Sequence, residues 1–596
     1  MTAHEPLARR RRGAPPTPPD DAPAPYFDLL ALRVELTALF NKTRSAQEAR
    51  GPLVERMKQL VKAARDAARG QLEYDGNGRR CASGLSLFQD ELIRLLYEYT
   101  TCPVYRATNP SDAERMAIIA TGGYGRGLLA PGSDIDLLFL LPYKQTPWGE
   151  SVAEYLLYIL WDLGFKVGHA TRTVEQSIKL SQADTTIRTS LVDMRLVKGD
   201  GQLYEELSQR LLSEVFRGTA RQFIAAKLGE RNDRHKRAGE SRYRVEPNIK
   251  ESSGGLRDLH TLHWLAKYLY GADLANGSGA SNLFTPSELA MFRRCEDFLW
   301  SVRCHLHFLT GRAEERLSFD VQPTMAHQLG YRAAGGMLPV ERFMKHYFLV
   351  AKEVGDLTTI LCSALEMKQL LSAPRMNRLL NPASWTVRRR VRQRTDFRVD
   401  NERLNVSDPH VFERDAVNLI RIFSAAEDPG SYLHPNALRL IRSSLRMIDD
   451  KLRKDAEANR LFLELLERTA EPETMLRMMN EAGVLGRFVP EFGKVVAMMQ
   501  FNMYHHYTVD EHLVRTVGEM KRIRDGRFAD TLPLSTEIFS SVINKRALLV
   551  AALMHDVGKG QKEDHSIIGE RVLRSLGPRL GLTPAETETA AGLIRE

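Results

Sequence analysis

Cysteine is scarce in this chain: five in 596 residues, Cys81, Cys102, Cys295, Cys304 and Cys362, with no CxxC pair among them. The scarcity excludes a disulfide framework and a thiolate zinc site, and it fits a reducing, cytoplasmic compartment. No uninterrupted apolar run reaches the roughly 18 residues of a membrane span, and no apolar core follows the arginines at 9–12, so neither a membrane-spanning nor a secreted protein is expected. A strong charge imbalance is missing too. The 84 basic side chains face 75 acidic ones, and a net +9 spread over the whole length points only weakly to anionic partners, nucleotides included. Internal repeats are absent as well.

What is present is enough apolar content, 43%, to bury several cores, and ordinary domain sizes predict about three or four of them. Residues 1–25 hold seven prolines and almost no apolar side chains and are expected to be a disordered tail. Apolar residues at helical spacing (Leu29, Leu32, Leu36, Phe40; Leu85, Leu92, Leu95, Leu96) predict a helical region over 26–110. The pattern then changes. Short apolar runs at Met116–Ala120, Ile135–Leu141, Phe165–Val167 and Ser190–Val197, around a helix at Val152–Leu163, predict a small α/β domain over 111–205. A helical domain and linker are expected over 206–400, and an all-helical domain over 401–596, giving a multidomain, mainly α chain with one α/β domain. Gly271–Ser281 and Asn381–Ser407 read as linkers. The latter carries Arg388, Arg389, Arg390, Arg392 and Arg394, which without interleaved aromatics read as a solvated or structural charge cluster rather than a nucleic-acid site.

The first chemical constellation is Thr121-Gly-Gly-Tyr-Gly-Arg-Gly127 followed by Ser133-Asp-Ile-Asp136, which opens the apolar run Leu137–Leu141. Residues two apart on a strand face the same way, so Asp134 and Asp136 converge while Ile135 points into the core. Two hard carboxylates suit divalent cations, and phosphoryl-type transfer relies on cations to neutralise and align phosphates. Gly122 and Gly123 let backbone amides approach phosphate closely, with Arg126 adding charge and Ser133 lying beside the acid pair. A strand, Gly-Gly, ten residues and then Asp-x-Asp resembles the signature of the DNA polymerase β-like nucleotidyltransferases. The resemblance implies a third carboxylate on a neighbouring strand, as ligand and proton acceptor; Asp193 is the candidate, with Asp184 behind it.

The second constellation lies near the C-terminus: Val509-Asp-Glu-His512 at a helix start, then His555-Asp556 closing the apolar run Ala547–Met554. Eight consecutive apolar residues mean a helix buried all round, so polar groups at its end need partners, and a metal is the simplest. His512, His555-Asp556, Gly558-Lys559-Gly560 and Asp564-His565 together resemble the HD phosphohydrolases. That resemblance implies His512, His555 and Asp556 as metal ligands, His565 as an accessory ligand and Lys559 as a phosphate contact. The HD pattern closes with a further Asp on a later helix, for which this chain offers no candidate; the capping box Thr583-Pro-Ala-Glu586 starts its last expected helix.

The pairing of the two sites resembles the bacterial bifunctional uridylyltransferase and uridylyl-removing enzymes that modify the PII nitrogen-signalling protein. Three stretches add to the resemblance: Glu246–Asp258, Gly483–Phe492 and Tyr504–His512. It implies UMP transfer from UTP to a PII tyrosine at the first site and hydrolysis of PII-UMP at the HD site. The implied cofactor is Mg2+, with Mn2+ an alternative at the HD site, and glutamine is the family's effector through ACT domains that this sequence does not show. The chain is therefore expected to be short at its C-terminus, with uridylyl removal and glutamine response impaired. In the Glu246–Asp258 stretch, Asn248, Lys250 and Arg257 are candidates for the transferase cleft, while His505 and His506 read as structural. The competing readings are an RNA-directed transferase of the CCA-adding or poly(A) type and a regulatory scaffold with a non-catalytic HD domain.

Overall fold

The computed structural model describes residues 29–43, 46–106, 111–237, 243–271, 284–367, 396–400, 403–426, 433–501, 507–561 and 563–596. The tail over 1–25, most of the Gly271–Ser281 stretch, the arginine cluster at 388–394, and His505 and His506 lie outside them. The chain forms two compact units. One comprises Met1–Glu240, Asn248–Leu317 and Gln328–Gly330; the other comprises Ser241–Pro247, Ser318–His327 and Tyr331–Glu596. Among the described residues no helix is long and apolar enough to cross a membrane.

The first unit opens with helices α1 (Leu29–Asn41), α2 (Ala46–Asp75) and α3 (Gly78–Tyr99). On α3 the leucines picked out by spacing are buried, and Asn77 caps the helix by accepting the Arg80 N–H. The α/β element follows as β1 (Ala117–Ala120), the short α4 (Gly122–Gly125), β2 (Ile135–Leu141), α5 (Pro147–Asp162), β3 (Val167–Thr173), α6 (Val174–Ala183), α7 (Thr185–Val192) and β4 (Arg195–Gly199). The sheet order is β3-β2-β1-β4. β1 runs antiparallel to both β2 and β4, while β2 and β3 are parallel, joined through α5. Every residue of β1 is buried, as is all of β2 apart from Asp136.

Two strand expectations are corrected. The run expected at Ser190–Val197 is helix as far as Val192, and β4 starts at Arg195. The Asp184 side chain caps α7 by accepting from the Thr186 and Ile187 amides, which turns Leu191 and Val192 into the buried face of a helix. A short apolar run carries too little periodicity to tell the two apart. The strand expected at Phe165–Val167 begins only at Val167 and runs to Thr173. Helices α8 (Gly201–Arg210), α9 (Ala220–Arg237), α10 (Leu256–Tyr270) and α11 (Pro286–Thr310) complete this unit.

The second unit is almost wholly helical. It includes α12 (Pro339–Met367), α13 (Ala456–Arg468), α14 (Pro472–Glu481), α15 (Val509–Arg524), α16 (Lys545–Met554), α17 (His565–Leu580) and α18 (Pro584–Arg595). One core joins α13, α14, α15 and α16 through Leu466, Leu476, Val517 and Leu553. The stretch read as a linker up to Ser407 ends in a hairpin, Phe397–Asp400 with Arg403–Val406. The Thr583–Glu586 capping box forms as expected, with Pro584 in the first helical turn.

Candidate functional site

The acid pair is built by the sheet. Asp136 is the second residue of β2, and the parallel register sets Gly168 of β3 directly beside it. A Cβ at Gly168 would lie 2.5 Å from Asp136 Oδ1, and a Cβ at Gly122 would lie 2.9 Å from Oδ2. The carboxylate thus rests between two glycines. Gly122 also holds a left-handed backbone, φ +57°, where a side chain would be strained. Asp134 is exposed one residue before the strand. Burial first, and then the neighbouring charge of Asp134, push the Asp136 carboxyl up from its ordinary range, while Lys250 opposes the rise. Close, like-charged carboxylates of this kind suit a divalent cation. Ser133 closes the turn before the pair: its hydroxyl accepts the Ala130 N–H at 3.1 Å and its own N–H donates to Ala130 O at 2.9 Å.

The other expected residues sort differently. Asp193 lies at the C-terminus of α7, off the strand on which it was expected. Its buried carboxylate accepts from Arg126 Nη1 (2.8 Å), Trp264 Nε1 (2.7 Å), His263 Nε2 (3.1 Å) and Lys267 Nζ (3.3 Å). Burial works against its charge, yet the His263 hydrogen bond and the nearby cations hold it well below the usual carboxylate range. None of these partners is Asp134 or Asp136. Arg126 is correspondingly neutralised, with its guanidinium 5.5 Å from the Trp264 ring centroid and Nη2 3.7 Å from where a Gly123 Cβ would stand. Asp184 is spent on capping α7. In the 248–258 loop, Asn248 Oδ1 accepts from the Lys250 and Glu251 amides, and Arg257 pairs with Glu251 at 3.1 Å. Lys250 is desolvated there, with Arg303 and Arg257 also depressing its pKa. Gly168 carries no signal of its own in the sequence: it becomes a glycine inside a strand only because β3 runs on from Val167 to Thr173.

The second constellation assembles at the end of α16. His512 from α15, His555 and Asp556 bring one ligand atom each within 4.8 Å of one another. The two imidazole Nε2 atoms are 3.2 Å apart, and Asp556 Oδ2 lies 3.8 Å from His512 and 3.5 Å from His555. His555 Nδ1 is 2.9 Å from the Ala552 carbonyl, so its proton is assigned there and Nε2 is left as an acceptor. Two imidazole lone pairs and a carboxylate meeting at one point fit a divalent cation. Lys559 Nζ donates to Asp556 Oδ2 at 2.7 Å, and His565, the first residue of α17, comes within 3.8 Å of Asp556 Oδ1. Before His512 on α15, the fully buried Asp510 accepts from Asn480 Nδ2 at 2.8 Å, and Glu511 pairs with Arg477 and Arg515.

Comparison with known families agrees with both geometries. Residues 109–191 match the nucleotidyltransferase domain and 509–596 the HD domain. Between them, 222–362 match the GlnD PII-uridylyltransferase family and 397–488 the third domain of uridylyltransferase GlnD. Bifunctional uridylyltransferase/uridylyl-removing enzymes of Nitrobacter winogradskyi and Bradyrhizobium diazoefficiens are 52% and 53% identical over 573 and 575 residues, in each case 96% of this chain. Over nearly its whole length the chain is thus similar to enzymes of that family. An enzyme of the same name from Rhodopseudomonas palustris is 52% identical over 577 residues. The chain spans 62% of the length of these family members. Domains of the nucleotidyltransferase and HD kinds commonly use divalent metals, and among the described residues the acid pair and the His512–His555–Asp556 cluster could hold such ions.

Proposed function

We propose that this chain transfers UMP from UTP to a tyrosine of PII in its first unit and hydrolyses PII-UMP in its second, in the cytoplasm. The observation that carries the reading is the presence, in one chain, of an acid pair seated on two glycines and a separate two-histidine, one-carboxylate cluster. In the first unit Asp134 and Asp136 hold Mg2+, and Gly122, Gly123 and Ser133 line the phosphate approach. Lys250 faces the triphosphate. Asp193 orients Arg126 and is a positioning residue instead of the proton acceptor. Among the described residues the four strands carry one carboxylate, Asp136. A phenol acceptor suits such a site, since tyrosine, at a pKa of about 10, releases its proton far more readily than an aliphatic alcohol. In the second unit His512, His555 and Asp556 hold Mg2+ or Mn2+, with His565 as accessory ligand, and Lys559 contacts the phosphate of the scissile bond. A bound divalent cation supplies charge neutralisation at the first site and activates a water at the second.

The test incubates the chain with α-labelled UTP, Mg2+ and either PII or tRNA, and separately with PII-UMP and Mn2+. Label on PII, abolished by Asp136→Ala, is the expected outcome. Label on tRNA, or undiminished labelling of PII by Asp136→Ala, refutes the assignment of the first site. Release of UMP that survives His555→Ala with Asp556→Ala refutes that of the second.

A further inference from the structure

The proposed chemistry leaves unused a buried network next to the acid pair. Arg303 on α11 reaches the Glu315 carboxylate through Nε at 3.0 and 3.1 Å and through Nη2 at 2.5 Å. The His307 side chain, fully buried, lies with Nε2 3.5 Å from Glu315 Oε1. Its other nitrogen, Nδ1, accepts the Gly132 N–H at 3.1 Å, which assigns the ring proton to Nε2, facing Glu315. Gly132 precedes Asp134 by two residues, and its neighbour Ser133 closes the turn into the pair. A Cβ at Gly132 would stand 2.8 Å from Ala313 N, so the two segments are in direct contact.

The same segment holds a second loop. The Glu315 carbonyl accepts the Ile249 N–H at 2.7 Å, and Asn248 and Arg316 form a β-bridge. Ile249 adjoins Lys250, whose charge acts on Asp136. Residues 307–316 therefore tie down both the turn that delivers Asp134 and the loop that delivers Lys250. Neither tie runs through the strands of the sheet.

We propose that His307, oriented by Glu315 and Arg303, is a positioning residue of the transferase site: it fixes the Gly132–Asp134 turn relative to the Lys250 loop, and so fixes the spacing between the cation-binding carboxylates and the lysine. The proposal rests on the reading of Asp134 and Asp136 as the transfer site. A network that only packs α11 would alter stability alone. A positioning network alters how the site responds to its cation and nucleotide.

The test compares His307→Leu with His307→Asn in the full chain. An asparagine Oδ1 hangs from Cγ as Nδ1 does and accepts the Gly132 N–H; leucine cannot. His307→Leu is expected to lower kcat for transfer by about 10–100-fold and to raise the Mg2+ concentration needed for half-maximal rate, while His307→Asn recovers most of both. Glu315→Gln, of equal size, covers the case in which the leucine variant fails to fold; it is expected to lower kcat and shift the Mg2+ dependence in the same sense. Wild-type kcat and Mg2+ dependence in folded His307→Leu or in Glu315→Gln overturn the proposal, as does equal loss in the leucine and asparagine variants with unchanged Mg2+ dependence. Persistent transfer by Asp136→Ala overturns the underlying reading of the site instead, so the two failures are distinguishable.

Discussion

Asp136 owes its position to what its neighbours lack. With Gly168 and Gly122 under its two oxygens, the carboxylate has one way to lie, and an added methyl on either side displaces it. Gly168→Ala is therefore expected to lower transfer by about 100-fold while leaving helix content unchanged, since displacement of a reacting group by about 1 Å costs roughly that much. A rate assay beside circular dichroism checks it; near-normal transfer would mean that the close approach is not needed. The raised pKa of Asp136 gives a second prediction. The folded chain binds this proton more tightly than the unfolded one, so the folded state is favoured below the ordinary value of 3.8 and loses stability as pH rises from 3.8 through the raised value. Asp136→Asn should then unfold at a higher temperature than wild type at neutral pH in EDTA, the gain disappearing as pH falls below 3.8. Calorimetry in EDTA at the two pH values decides it, and a lower melting temperature at neutral pH contradicts it. The closeness of Asp134 and Gly122 to Asp136 was legible in the sequence because it is set within a few residues, although Asp134 lies just before the strand rather than on it. Gly168 was not, because its meaning comes from a parallel register created across α5. Asp193 was misplaced on a strand for the same reason: order along the chain cannot show which donors close around a carboxylate.

The helices α17 and α18 approach each other through glycine. A Cβ at Gly569 would meet Ile594 Cγ2 at 2.6 Å, and one at Gly577 would meet Thr587 Oγ1 at 2.7 Å. Overpacking such a seam costs about 1–3 kcal/mol. Gly577→Ala is expected to destabilise the second unit by that amount and, because α17 begins with His565, to lower uridylyl removal without touching transfer. Urea unfolding, followed alongside both activities, measures this; a fully stable variant would show that the seam has slack. At this scale the sequence was informative wherever signals were long or chemically distinct. Of the eight apolar residues Ala547–Met554 all but Leu548 are buried in the helix they suggested, and the Thr583 capping box began α18. It failed where signals were short: Leu191 and Val192 fit a strand as well as a helix, and the Asp184 cap decided between them. The Phe397–Val406 hairpin hid in a polar stretch that read as a connector.

The two constellations fall in different compact units, Asp134 and Asp136 in one and the histidine cluster in the other. Transfer should accordingly survive His555→Ala with Asp556→Ala, and removal should survive Asp136→Ala; loss of both activities in either folded variant would argue for a shared site. The units are not successive along the chain, however. Tyr243 O accepts the Thr508 N–H at 3.3 Å, Arg244 bridges Tyr507, and Gln322 Nε2 donates to Val245 O at 2.8 Å, all within the second unit. Thr508 is the N-cap of α15, the helix that carries His512. Gln322→Leu, which removes one of these ties in the full chain, should therefore lower the melting temperature of the second unit, and calorimetry of the full chain measures it; an unchanged melting profile would show that the tie carries no stability. This interleaving has a consequence for biosynthesis. At about 5–20 residues per second, Tyr507 is made roughly 10–50 s after Arg244. Through that interval Tyr243 and Arg244 lack their backbone partners Thr508 and Tyr507, so the stretch must resist pairing with other nascent chains. Arg244, Glu246 and Pro247 equip it for the wait: charge and proline are poor templates for a stray strand.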